Sequence, residues 1–473
     1  MALSALKRVR EGLKFFRLNP TDARLDRVTA DNERIRRYQL YARYYEGYLA
    51  RGLITTGDPT HTKRLKYNFC RPIIAIPAGF LAGVPLIWEV RNDDGTINET
   101  ATETAKKVWD RSGAERAFLE AAISTNIYGD CLLKVQRERL PDQPDKEDPD
   151  SLPTIEFLCP DLCFPLFGGH NHDQLIALEI AYVVTEGENQ YTRHEYYDLD
   201  GAEVYHDESL VDRFTYPAIP AVWVRNNRSP NEIYGKSDLD GVMDLIDEYD
   251  HVARKQTAII DYYANPRIVA EGVRQSDLTL DVNTFIFAPL GSKLYFLEWS
   301  GSGPAVMDQL TTIRNAIAEV SQIPAIAFGQ MDAGHSTISG IGMKILYGPL
   351  LNKVQRKQAN WGPALERAMW LALMAMGQTV PLPAVNVIWP DPTPVDPKAL
   401  IEQETMAVTG GIKSKTSAMR AIGIEDPEAE IELIKEEQET LIAPEVKAAM
   451  ELQARESEEG EEEEEEAPPR RVN

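Results

Sequence analysis

Between Asp238 and Pro324 the chain lays down a long amphipathic helix, a short β-rich insert and a second helix that returns. The first helix reads Leu239, Val242, Met243, Ile246, Tyr249, Ala253, Gln256, Ile260 and Tyr263, the three-four spacing of one continuous stripe. No Gly or Pro interrupts it from Val242 to Ala264, and Asn265-Pro266 stops it because proline drives the preceding residue out of the helical region. The second helix repeats the stripe at Val306, Leu310, Ile313, Ile317 and Val320, and Pro324 closes it. A first helix of about 27 residues spans roughly 40 Å at 1.5 Å per residue. Two such rods joined at their far end by a small β unit form a stalk; they do not wall a pocket.

The other face of the first helix is acidic at its start, with Asp238, Asp240, Asp244, Asp247, Glu248 and Asp250, and basic later at Arg254 and Lys255. This order suits the helix dipole. It also suits a ring of such helices around a passage, where a negative wall of Asp240, Asp244, Asp247 and Glu248 lets phosphates slide without sticking.

The net charge of −24 is uneven: from Glu425 to Asn473 there are 19 acidic and 5 basic residues, a net of −14. The acidity is concentrated in a tail, and no basic block marks a reader of nucleic-acid sequence. At 473 residues the chain is long enough for two to four structural units. Four cysteines are too few for a disulfide framework, and Met1 to Phe16 is basic without a long apolar core, so synthesis in a reducing cytosol is expected. The uncharged run Pro72 to Trp88 carries three prolines and is too short to span a membrane. It reads as a buried helix ending at Gly83-Val84-Pro85, then a strand from Leu86 to Val90.

Before the helical pair, Arg34 to Leu49 is a helix rich in tyrosine (Tyr38, Tyr41, Tyr44, Tyr45, Tyr48), expected to pack while its hydroxyls reach the surface. Thr102 to Gly113 and Ala114 to Tyr128 are two more helices, and Gly129-Asp130 leads into a strand over Cys131 to Gln136. From Thr154 to Val224 the apolar period becomes two, and Asp200-Gly201 between Tyr197 and Val204 signals a hairpin. That stretch is expected to form an antiparallel sheet, making residues 20–237 one α+β unit. After Pro324, residues 325–339 are glycine-rich and read as a mobile loop. Residues 341–376 form a helix interrupted at Gly348-Pro349 and Gly362-Pro363. A proline-rich boundary at 381–397 holds one strand, Val385 to Trp389, and precedes three short helices and a disordered acidic end.

Catalytic patterns are absent: there is no phosphate-binding loop, no dinucleotide glycine fingerprint and no His-Glu-x-x-His. Cys159 and Cys163 have metal-like spacing without a second cysteine pair, so reduced buried thiols are expected. His170, His172 and Asp173 lie in a polar turn, and His335-Ser336 lacks the strand of a nucleophile elbow. No enzyme, cofactor or metal is expected; a hydrolase using His170 and His172 stays as an alternative that stoichiometric metal binding would reveal.

The order of parts resembles the portal proteins of tailed bacteriophages, in particular the siphophage type. The resemblance rests on Asn68–Ile74 (NFCRPII) with Gly79–Pro85 (GFLAGVP), Tyr128–Val135 (YGDCLLKV) and Pro160–Pro165 (PDLCFP). It continues in Tyr234–Leu239 (YGKSDL) leading to Ile246–Tyr249 (IDEY), Ile323-Pro324 and Ser339-Gly340, Thr409–Thr416 (TGGIKSKT), and Asp426–Glu430 (DPEAE). These short stretches cover roughly residues 30 to 440 in the family's order.

The resemblance implies an α+β portal fold: an N-terminal arm (1–19), an α/β wing (20–237), stem helices (238–264 and 306–323), a clip (265–305), a tunnel loop (324–340), a kinked helix returning to the wing (341–395), a helical crown (396–455) and a disordered tail (456–473). It implies a homo-oligomeric ring, usually of twelve subunits, at one capsid vertex of the virion. Double-stranded DNA passes through its channel during packaging and ejection. Implied partners are the large terminase, the major capsid protein, scaffolding protein and the head-tail adaptor, without a membrane. A capsid-associated adaptor or minor head protein lacking a channel is the alternative.

The tunnel loop would present Gln330, Met331, Asp332, Ala333, Gly334, His335, Ser336 and Thr337, with Asp332 and His335 the only ionisable groups and no Lys or Arg up to Ile341. Such a loop is a sleeve around DNA; it is not a clamp. Lys344, Lys353, Arg356 and Lys357, on the helix behind it, are candidates for phosphate contact or for pairing with acidic residues of neighbouring subunits.

Overall fold

The structure is a computed structural model describing residues 23–47, 67–140, 143–148, 150–168, 173–186, 189–230, 232–264, 268–271, 291, 293–296, 303–329, 340–378, 380–391, 397–424 and 426–441. The chain divides into two compact units, Met1–Thr393 and Pro394–Asn473.

In the first unit, helix α1 (Ala23–Glu46) is followed by α2 (Cys70–Ala82) and the short strand β1 (Ile87–Val90). Pro72 falls in the first turn of α2, where no amide hydrogen is needed. Helix α3 (Glu99–Arg111) starts where the Asn98 side chain accepts the Ala101 N–H at 3.0 Å. Helix α4 (Ala114–Tyr128) stops at Gly129, whose φ of +92° favours glycine.

The strands follow: β2 (Asp130–Gln136), the small pair β3 (Arg139–Leu140) and β4 (Gln143–Glu147), then β5 (Thr154–Leu158) and β6 (Cys163–Phe167). After them come β7 (Leu175–Glu186), β8 (Asn189–Tyr197), β9 (Ala202–His206), β10 (Ser209–Phe214) and β11 (Ala221–Arg225). They do not form the single sheet expected over 154–224. One antiparallel sheet has five strands in the order β10-β9-β8-β7-β6, and a second has three, β11-β2-β5. The separation has a physical cause in β2, which is buried from Asp130 to Val135 and so has cover on both faces. Leu132 and Trp223 pack with Leu178, Ile180 and Tyr197 of the five-stranded sheet. The opposite face, with Cys131, Leu133 and Val135, joins the helices in the main core.

The helical pair consists of α5 (Met243–Ala264) and α6 (Gly303–Ser321), with strands β12 (Ile268–Glu271) and β13 (Lys293–Phe296) pairing between them. Helix α5 begins five residues later than expected. Residues 238–242 form a turn, and Gly241 at φ +85° takes a backbone conformation a helix excludes. Its stripe of Ile246, Tyr249, Val252 and Ala253 is buried in the same core as Leu310, Ile313 and Ile317 of α6.

The return is made by α7 (Gly340–Leu346) and α8 (Gly348–Ala375). The break falls at Tyr347, with Pro349 in the first turn of α8, while Pro363 is accommodated inside one continuous helix. Strand β14 (Val385–Ile388) then pairs antiparallel with β1 in the register Val90↔Val385. Aromatic rings lock this core: Trp361 meets Phe118 edge-on at 5.1 Å and Phe157 at 6.2 Å.

The second unit has α9 (Pro397–Thr409), α10 (Lys415–Ala421) and α11 (Pro427–Leu441). Ser414 caps α10 through the Ser417 N–H, and Asp426 accepts the N–H groups of Glu428 and Ala429 at the start of α11. Among the described residues no helix is long and apolar enough to cross a membrane.

Candidate functional site

A buried ionic cluster sits where the helical pair is rooted. Asp238, five residues before α5, directs Oδ1 at the Nζ of Lys357 (2.9 Å) and Oδ2 at the Nζ of Lys353 (3.0 Å). The two lysines are one turn apart on α8 and therefore lie on the same face. Lys357 spends its other two protons on Oδ1 of Asn126 (2.6 Å) and of Asn226 (2.7 Å), and Lys353 also donates to the Ser321 carbonyl at 3.0 Å. Asn226 and Asn227 each donate to Asp238 at 2.8 Å, and Asn126 donates to the Ile74 carbonyl at 3.0 Å. One cluster thus ties α2, the ends of α4 and β11, the root of α5, the last residue of α6 and the middle of α8.

Burial alone would raise the Asp238 carboxyl, but Lys357 and Lys353 outweigh it and hold it well below the ordinary carboxylate range. Burial, reinforced by the like charge of Lys353, brings Lys357 down to about 8 against the pull of Asp238. Two ammoniums on one carboxylate leave the cluster dependent on its amide oxygens. Two glycines bring the backbones together here. A Cβ on Gly235 would lie 2.0 Å from the Gly129 carbonyl oxygen, and one on Gly129 would lie 2.7 Å from the Lys236 backbone.

Beside this cluster, α1 carries a ladder of tyrosines. Tyr38 donates to Asp130 (2.7 Å), Tyr41 to Asp240 (3.2 Å) and Tyr44 to Asp247 (2.6 Å). The expectation that these hydroxyls reach the surface is corrected for Tyr38, which ends on buried Asp130; the rings of Tyr41 and Tyr44 are buried too, but their hydroxyls end on the exposed carboxylates Asp240 and Asp247. Burial and then the Asp240 charge push the Tyr41 hydroxyl up to about 12. Asp130, fully buried, also accepts the Trp223 indole N–H at 2.9 Å and the Gly235 N–H at 3.0 Å. Its neighbour Arg34 donates to the carbonyls of Pro160 (3.1 Å) and Cys163 (2.9 Å) and faces the Tyr234 ring at 4.7 Å.

The sequence-derived candidates divide accordingly. Asp240 and Asp247 accept bonds from α1, while Asp244 and Glu248 are exposed. Lys344 is exposed and pairs with Asp391 at 3.0 Å, and Arg356 is exposed beside Gln322. Lys353 and Lys357, expected at phosphates or at acidic residues of neighbouring subunits, are both buried, and their ammoniums pair with Asp238 of the same chain. Residues 330–337 lie outside the described residues, as do His170 and His172. Among the described residues no group of three His, Cys, Asp or Glu could hold a metal ion, and the four cysteines are free thiols. A second ionic cluster lies outside the sequence expectations: Lys134 of β2 meets Glu195 of β8 at 2.5 Å between the two sheets, with Arg193 at 2.8 Å.

Comparison with known proteins adds three findings. A family model described as phage portal protein, SPP1 Gp6-like, matches residues 27–443. No curated protein matches the chain. Solved structures that resemble it include a chain from the virion of a native gene transfer agent particle (TM-score 0.43, 14% identity, covering 75% of this chain and 89% of that one). Others come from the neck of the native particle computed with C12 symmetry (0.44, 13%, 75% and 90%) and the neck of the empty particle computed with C6 symmetry (0.46, 14%, 82% and 93%).

Proposed function

The chain belongs to the SPP1 Gp6-like phage portal protein family, and on that footing we propose that copies of it close into a ring of about twelve around a DNA channel. It is a head-tail connector, a structural component of a phage-like particle. The match over residues 27–443 carries this reading, because it takes in the whole of the described first unit after residue 26 and the helices of the second. In the proposed ring, α5 and α6 form the stem, β12 and β13 belong to the clip that meets terminase and then the adaptor, and residues 330–337 form the loop nearest DNA.

The described charges fit a passage that does not grip. Asp244 and Glu248 are exposed acids on α5, and the outward residues of α6 include Gln309, Thr311, Thr312 and Asn315. Exposed acids on the two helices (Asp244, Asp247, Glu248, Asp308 and Glu319) outnumber the exposed bases Lys255 and Arg314, so phosphates meeting such a wall are on balance repelled and DNA is guided with little holding. A ring needs unlike surfaces on its two sides, which is how identical subunits close by rotation. Native mass and negative-stain imaging of the same purified fraction test the proposal. Particles near twelve copies of the 53.1 kDa chain with an axial hole are expected; a closed oligomer without a hole overturns the channel and favours a capsid-associated adaptor.

A further inference from the structure

Two arginines at the end of β11 converge on one exposed carboxylate. Arg225 is the last residue of the strand, and two residues on Asn227 takes φ +46°, a left-handed conformation that asparagine tolerates. Arg228 follows at once, and the Nη1 groups of both arginines donate to the same oxygen, Oδ1 of Asp173, at 2.9 Å for Arg225. Backbone groups place the two guanidiniums. Each Nε donates to a carbonyl of one short turn, Arg225 to Ile233 at 2.6 Å and Arg228 to Glu232 at 2.9 Å. The Arg225 head also lies over the Phe167 ring at 4.5 Å.

Burial and then the Arg228 charge work against the charged form of Arg225, so guanidiniums held this close call for an anion between them. Asp173 answers two positive charges with one. The other acids nearby have bases of their own: Glu232 pairs with Lys236 at 2.8 Å, and Asp130, which acts on Arg225 from the interior, has Arg34 beside it. Asp173 is also the most exposed member of the group. Its side chain is 64% exposed, against 9% for Arg225 and 24% for Arg228, and it comes from the turn between β6 and β7. An ion pair kept for stability alone gains little from an acid so open to water.

We propose that Arg225 and Arg228 form a receptor for a side-chain carboxylate on an acidic segment of a partner protein, with Asp173 as the internal stand-in that the partner displaces. The stand-in is itself a carboxylate. A DNA duplex is held through many phosphates at once, which two arginines on a chain of net charge −24 do not match. Once displaced, Asp173 passes to water, which its exposure already allows. Asn226 and Asn227 lie between the two arginines in the chain and both donate to Asp238, so the site abuts the cluster that holds the root of α5. The receptor belongs to the single subunit and does not depend on the ring.

The test uses the full chain carrying Asp173→Ala, which leaves the two arginines facing a space of carboxylate size. Replacing chloride by acetate at equal ionic strength should raise its melting temperature by several degrees. The unaltered chain, and Asp173→Ala combined with Arg228→Gln, should melt alike in the two salts. A labelled oligoglutamate peptide should bind the Asp173→Ala chain about tenfold or more tightly than the unaltered chain, since no stand-in has to leave. Adding Arg228→Gln should abolish that gain. An acetate shift of equal size in all three chains is a general salt effect and overturns the site. A peptide affinity indifferent to Asp173 also overturns it, and the ion pair then only pins the β6–β7 turn. Labelled duplex DNA bound as tightly as the peptide would reassign the site to phosphate and reject the carboxylate partner. If the Asp173→Ala chain does not fold, Asp173→Asn, which keeps the shape and loses the charge, carries the peptide measurement with the same outcomes.

Discussion

The Nζ of Lys357 lies 2.9 Å from Oδ1 of Asp238, inside the protein and between residues 119 positions apart in the chain. Lys353 takes the other carboxylate oxygen and also the Ser321 carbonyl, so a single helix, α8, holds the roots of both α5 and α6. An apolar contact would tolerate a shifted helix. Fixed donors and acceptors do not, which makes the cluster a device for setting register.

Charge balance decides which substitution hurts most. Asp238→Asn leaves two buried ammoniums facing each other and should destabilise by about 3–5 kcal/mol, the range for breaking a buried pair. Lys357→Met leaves Asp238 paired with Lys353 and orphans two amide oxygens, which should cost about 1–3 kcal/mol. Denaturant unfolding of the full chain measures both. The reverse order would mean that the carboxylate, not the ammoniums, is the costly group.

The pH profile should have two separate arms. Asp238 and Glu195 both have folded pKa values below their unfolded ones of about 3.9 and 4.3. Their stabilisation is therefore complete above about pH 5 and is lost as the pH falls through 4 and lower. Lys357 acts at the other end. The unfolded chain keeps its proton to about 10.4, whereas the folded chain releases it from about 8. Across that window the unfolded state binds more protons, so this group's contribution rises with pH. Urea midpoints from pH 7.5 to 9.5 should climb more steeply in the unaltered protein than in Lys357→Met; identical slopes would contradict the depressed lysine.

The tyrosine ladder should be graded by burial. Tyr38→Phe removes one of three donors from fully buried Asp130 and should cost about 1–3 kcal/mol. Tyr44→Phe frees Asp247, which is exposed and can turn to water, and should cost about 1 kcal/mol or less. Equal losses would show that the rings' packing, not their hydroxyls, carries the energy.

Gly235→Ala should prevent the native junction from forming. Its Cβ would lie 2.0 Å from the Gly129 carbonyl oxygen and 2.5 Å from the Asn226 carbonyl oxygen, both backbone atoms that cannot swing away. Gly348→Ala, where nothing lies within 4 Å, is the matched control and should leave the melting temperature nearly unchanged. A Gly235→Ala chain with unaltered thermal unfolding would contradict this close approach.

Periodicity and punctuation make several elements legible in the sequence itself. Gly113 and Gly129 bound the helix Ala114–Tyr128, Asp200-Gly201 marks the β8–β9 hairpin, and α5 ends before Pro266. The ionic cluster is less accessible, although α8 carries a signal for it. Lys353 and Lys357 fall on the buried stripe of Leu350, Val354, Trp361 and Leu365, where a solvent-facing lysine does not belong. Local pattern can show that such a lysine is misplaced, but its partner Asp238 lies in a different element, and pairing across that distance is decided by tertiary packing. The same holds for Lys134, which lies on the centre strand of a sheet, and for the division into two sheets that places it opposite Glu195.

The proposed tunnel loop, residues 330–337, gives the prediction that bears most directly on function. Its sequence offers Asp332 and His335 as the only ionisable groups, so its proposed role near DNA is steric. It lies in the chain between α6 with its short following turn and α7, and the roots of α5 and α6 are held to α8 by Lys353 and Asp238. The loop can therefore be changed while its supports stay fixed. Replacing residues 331–337 with a short glycine linker should leave rings intact by negative stain but lower the amount of DNA packaged or retained in heads. Loss of the rings would make the loop an assembly element. Heads with a full DNA content would remove the loop from the packaging path and leave the exposed faces of α5 and α6 as the surface that DNA meets.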